Sequence, residues 1–222
     1  VTEAEPAVPA QPPRAVMLTG ASSPVARATA ARLARRGDLV LIGSRRPEIC
    51  ERLAARLRAQ GATAFAAYLD LADTSSIDLF VESARYLVGE VDVLITDAGL
   101  SAARSDMFGA QHLAAQVIPP MIRRGRGDVV LVSPDILAGA TPPNACRRAL
   151  DAWLSGLDAE FVGTGVRASI IRSAGIAARV APADVARVIA AMVGSGESMH
   201  LRLVEVISQH PAPAPAKERK AR

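Results

Sequence analysis

The amino-acid sequence predicts a single doubly wound parallel α/β sheet of about seven strands with helices on both faces. Three observations lead there. Seven short apolar runs recur along the chain, and each run but the last is followed by a longer stretch of helical period. The runs are continuously apolar rather than alternating, as strands covered on both faces must be. The length of 222 residues suits one such unit, since domains hold about 100–200 residues.

In chain order, the run at 15–19 precedes a helix over 24–36, for which Ser23 can supply an N-cap and Pro24 a first turn. The run at 39–42 precedes a helix over 47–60, again opening on a proline, and the run at 64–69 precedes one over 75–87. Strands at 91–96, 128–133 and 167–171 alternate with helices over 108–123, 145–161 and 182–193, and a strand at 202–207 closes the series. The domain therefore spans 15–208. Residues 1–14 and 209–222 are rich in Pro and Ala without apolar periodicity and are expected to be disordered tails.

Half the residues are apolar and 22% are charged, which excludes a disordered chain and a coiled coil. No run reaches the roughly 18 apolar residues of a membrane span, and the N-terminus lacks a basic-then-apolar signal pattern, so no membrane partner is expected. Two cysteines, Cys50 and Cys146, build neither a disulfide framework nor a zinc site, so no metal is expected and the reducing cytoplasm is the expected location. Most of the net charge of +4 lies in the tail, on Lys217, Arg219, Lys220 and Arg222 against Glu218. The body is nearly neutral, and a nucleic-acid partner is not expected.

In a doubly wound sheet, ligands bind beyond the carboxyl ends of the strands, so the loops at 19–26, 43–46, 70–74, 97–107, 133–146 and 172–181 are the places to look for chemistry. They hold Thr19-Gly20-Ala21-Ser22-Ser23, then Gly43-Ser44-Arg45-Arg46, Asp70-Leu71 and Asp97-Ala98-Gly99, followed by Arg147-Arg148-Ala149-Leu150-Asp151-Ala152-Trp153 in a late helix. Together, in this order, these segments resemble the short-chain dehydrogenase/reductase family over residues 15–207. The resemblance implies a Rossmann-like fold and a nicotinamide cofactor. It also implies oxidation or reduction at a carbonyl or alcohol, with a tyrosine moving the proton beside a lysine, a serine polarising the carbonyl and an asparagine holding a water.

On this resemblance the cofactor would meet Gly20, Ser22, Ser23 and Val25 at its pyrophosphate, Arg45 and Arg46 at its ribose, Asp70 and Leu71 at its adenine, and Asp97, Ala98, Gly99 and Arg147 deeper in the cleft. Two departures mark the first loop, where Pro24 and Ala26 stand for glycines of the family pattern. Pro24 has no N–H to offer, and the methyl of Ala26 narrows the backbone's approach. The loop is then either a phosphate cradle working through the remaining N–H groups and the positive end of the helix or a purely structural turn. Arginines stand where an acidic ribose contact would favour NAD, so NADP(H) is the expected cofactor if one binds, weakly. Asp70 also suits a turn.

The resemblance carries no reaction centre. Pro143 stands at the tyrosine position, Arg147 at the lysine position, Pro134 at the serine position with Ser133 one place early, and Asp106 near the asparagine. The chain's tyrosines are Tyr68 and Tyr86, and no lysine precedes Lys217. Arginine does not deprotonate in proteins and cannot relay a proton. The segments after Gly99 and Gly175 are also short for a substrate lid. The expected function is a catalytically inactive subunit, a pseudoenzyme, forming a homo- or hetero-oligomer through the helices at 108–123 and 145–161, the partner being an active short-chain dehydrogenase. A divergent NADP-dependent oxidoreductase acting on a carbonyl or alcohol, and an NADPH-sensing regulator, are the alternatives.

Overall fold

The computed structural model describes residues 12–97, 104–133, 143–174, 180–194 and 199–207, with the backbone alone at 104–106, 143–146 and 174. The expected tails, apart from residues 12–14, fall outside the described residues, as do Ala98, Gly99 and Pro134.

The described chain alternates strand and helix: β1 (Ala15–Thr19), α1 (Pro24–Arg35), β2 (Leu39–Ser44), α2 (Pro47–Arg58), β3 (Ala64–Tyr68), α3 (Thr74–Leu87), β4 (Val93–Asp97), α4 (Arg104–Arg124), β5 (Gly127–Ser133), α5 (Pro143–Phe161), β6 (Val166–Ala174), α6 (Pro182–Gly194) and β7 (Leu203–Ile207). The strands form one sheet in the order β3-β2-β1-β4-β5-β6-β7, all pairs parallel. Strand order reverses between β1 and β4, the switch point at which such sheets open a ligand crevice.

Every residue of β1, β4 and β5 is buried, which is why these segments read as unbroken apolar runs. The sheet divides the core into two layers. One face packs Ile77, Phe80, Leu113, Met121, Leu150 and Leu154 from α3, α4 and α5; the other packs Leu33, Leu53, Leu57, Val185 and Ile189 from α1, α2 and α6. Helices run back along the sheet, so their first turns and the ends of the strands meet at one edge. Of the predicted site residues that are described, those from Gly20 to Ser23, Arg45, Arg46, Asp70, Leu71, Asp97 and Ser133 lie at that edge.

Candidate functional site

The first turn of the cleft is built from Gly20. Its φ of +76° lies in the left-handed region, and a Cβ there would stand 2.7 Å from the Asp97 carbonyl oxygen. Glycine therefore lets the β1–α1 turn lie against the end of β4. The Asp97 N–H donates to Thr19 Oγ1 at 3.2 Å, holding the two central strand ends together, and the Asp97 side chain is buried.

The geometry bears directly on the N–H groups expected to cradle a phosphate. The Ser23 N–H donates to the Gly20 carbonyl at 2.8 Å. Ser23 Oγ caps α1 by accepting from the N–H groups of Val25 at 3.2 Å and Ala26 at 3.4 Å. Three donors of the turn are thus engaged within the fold, as a capped helix requires. Arg27, one turn into α1, folds back to donate to the Ser22 carbonyl at 2.6 Å. This end of the cleft fits a structural turn better than an open pyrophosphate cradle.

The ribose end differs. Arg45 and Arg46 are exposed at the end of β2, and their guanidinium groups have no ion-pair partner among the described residues. The backbone beneath them is fixed, since the Arg46 N–H donates to Ser44 Oγ at 3.1 Å and Ser44 Oγ lies 3.2 Å from Cys50 Sγ. Two unengaged guanidinium forks on a fixed loop fit a 2′-phosphate. Asp70 spends one carboxylate oxygen on a turn, accepting from the Ala72 N–H at 3.0 Å. Leu71 is pinned by α4, whose Gly109 lies so close that a Cβ would sit 1.8 Å from the Leu71 carbonyl oxygen.

Around Arg147, at the lysine position, the structure holds ion pairs. Arg147 of α5 is half-exposed, and its guanidinium lies 4.0 Å from the Glu205 carboxylate of β7. Arg172 of β6 pairs with Asp151, one helical turn beyond Arg147. Ser133 is buried at the end of β5 in register with Arg172, and Arg172 is in register with Glu205. Both α5 pairs tie that helix to the sheet. Sequence reading missed Arg172 and Glu205, and the pairing of Asp151, because these groups meet only across strands and helices far apart in the chain. Pro143 is the first residue of α5 and Asp106 lies in the first turn of α4, where the backbone alone is described.

A family model described as short chain dehydrogenase matches residues 14–187. Glycine betaine reductase ATRR of Emericella nidulans is 29% identical over 178 residues, covering 72% of this chain and 14% of that protein. A fatty acyl-CoA reductase of Acinetobacter baylyi is 32% identical over 170 residues, covering 67% of this chain and 58% of that protein. The ketoacyl reductase HetN of a Nostoc species is 28% identical over 179 residues, covering 71% and 62%. The chain thus spans less than two thirds of the length of these relatives. Among solved structures, a metagenomic short-chain oxidoreductase in complex with NADP superimposes with a TM-score of 0.77 at 23% identity, covering 89% of this chain and 98% of that one. An actinorhodin polyketide ketoreductase variant with NADPH gives 0.77 at 20% identity, covering 88% and 96%.

Proposed function

Because the chain belongs to the short-chain dehydrogenase family, we propose that it is a catalytically inactive member, kept as a cytoplasmic subunit that assembles with an active relative. The observation that carries this reading is the replacement of the proton-transfer pair by Pro143 and Arg147, with no tyrosine after Tyr86 and no lysine before Lys217. The Arg147–Glu205 and Arg172–Asp151 pairs support it, because they give the neighbourhood a structural task. Assembly is supported by the length of α4 and α5, 21 and 19 residues, and by the exposure of Phe108 on α4. NADP(H) would be held by Arg45 and Arg46 and would supply hydride chemistry when bound. With three N–H donors of the first turn engaged, binding is weak.

Two measurements test the proposal. The purified chain is expected to show no oxidation of NADPH or NADH with carbonyl substrates, and the tagged protein is expected to co-purify with a turnover-competent short-chain dehydrogenase from its native host. Robust turnover by the isolated chain, lost in Arg147→Ala, would overturn it in favour of a divergent reductase. The free guanidinium groups of Arg45 and Arg46 favour an NADPH-responsive regulator as a second reading. Titration with NADPH and NADH separates the two, since submicromolar NADPH affinity belongs only to the regulator.

A further inference from the structure

We propose that the groove between α1 and α2, on the outer face of the molecule, binds a small polyanion of the nucleoside polyphosphate class at a site separate from the dinucleotide cleft. Charge is unevenly spread along this chain. Residues 24–60 carry nine arginines against the three carboxylates of Asp38, Glu48 and Glu51, although the body as a whole is close to neutral.

Four of those arginines, Arg27 and Arg35 on α1 with Arg52 and Arg56 on α2, line a cavity of about 450 Å³, and no acidic residue lines it among the described residues. Two of the nearby carboxylates are engaged elsewhere: Asp38 pairs with Arg36 and Glu51 with Arg58. Arg35, Arg52 and Arg56 have no hydrogen-bond or ion-pair partner among the described residues. Arg27 is held on the Ser22 carbonyl of the β1–α1 turn, so Arg35, Arg52 and Arg56 are the unengaged charges, and a bound polyanion relieves their mutual repulsion.

The shape selects among anions. Ala28 and Ala31 on α1 leave the groove open, and the half-buried Ile49, over the core residues Leu53 and Leu57, gives it an apolar floor. The volume falls within the range of small-ligand sites, about 300–1,000 Å³. An apolar or aromatic body fits that floor, while guanidinium forks match phosphate oxygens in pairs. A base bearing a chain of phosphates satisfies both halves of the site. Arg27 marks the end of the groove nearest the cleft; from there α1 and α2 run away from it, placing Arg35 and Gln60 toward the opposite edge of the sheet.

The test is calorimetric titration of the full chain with ATP, inorganic tripolyphosphate and adenosine at about 0.15 M salt. Wild type should bind ATP at one saturable site, tripolyphosphate should displace it, and adenosine alone should not bind. Arg52→Ala combined with Arg56→Ala should weaken ATP at least tenfold, as should Arg35→Ala on the facing helix. Arg45→Ala with Arg46→Ala should leave ATP binding unchanged. All of these side chains are exposed, and thermal melting checks that each variant stays folded. Absence of saturable ATP binding, unaltered affinity in the groove variants, or a loss confined to the Arg45/Arg46 variant would overturn the proposal. Displacement of ATP by duplex DNA in preference to tripolyphosphate would overturn it as well. These outcomes are independent of whether the chain is catalytic.

Discussion

At Gly20 a methyl group has nowhere to go, and that one residue shows how far a motif can be read. The glycine was legible as a turn residue at a strand end, whereas its pressure against the Asp97 carbonyl needed the fold. Pro24 was legible as a lost donor. That Val25 and Ala26 are also engaged, through Ser23 Oγ, was not, because the serine's rotamer decides it. Cys50 is fully buried. Burial pushes its thiol above the ordinary value of 9.0, with the Ser44 hydrogen bond opposing the shift. A neutral thiol at physiological pH is a poor nucleophile. Cys50 should therefore stay unmodified by a thiol reagent in the native protein and react on unfolding; labelling followed by peptide mapping reads this directly. Since the folded-state value is the higher one, the stabilisation of the neutral thiol is fully present below the unfolded value and is lost as pH rises through the folded one.

For the elements, continuous apolar runs located the strands and stretches of helical period the helices among the described residues, and the differences lie at the ends. α4 begins at Arg104 and β6 continues to Ala174, beyond the apolar stretches that announced them. Arg172 and Ser173 read as loop because they are polar, yet pairing with Glu205 and Val206 keeps them in the sheet. Register across three strands is not visible in a local window. Capping of α1, by contrast, was legible, since Ser-Pro before a helical stretch supplies both a side-chain acceptor and a residue needing no donor. Ser23→Ala should lower stability by about 1 kcal/mol, measured by urea denaturation. Because it also releases the N–H groups of Val25 and Ala26, it should not weaken NADPH binding. A variant that melts like wild type would show that the cap contributes nothing.

Over the whole molecule, the features hardest to read are those made by charge at a distance. The neutral balance of the body concealed the arginines gathered on α1 and α2. At the edge of the sheet remote from the cleft, Asp38, Asp92 and Asp128 are buried; Asp38 pairs with the neighbouring Arg36, whereas Asp92 and Asp128 are matched by arginines from distant segments. Arg14 donates to the Val193 and Asp92 carbonyls at 2.6 and 2.9 Å and lies 2.7 Å from the Asp128 carboxylate. Arg167 Nε donates to the other oxygen of Asp128 at 2.8 Å. Asp128 thus joins the start of β1 to β5 and β6. Removing it would take a buried carboxylate away from two guanidinium groups whose side chains are only about a fifth exposed. Breaking such a pair by deleting one partner costs about 3–5 kcal/mol, whereas an exposed pair is worth about 1 kcal/mol or less. Asp128→Ala should accordingly shift the urea midpoint far more than Glu51→Ala, which removes only the exposed pair with Arg58. Equal shifts for the two variants would show that the buried carboxylate is not what locks these strands together.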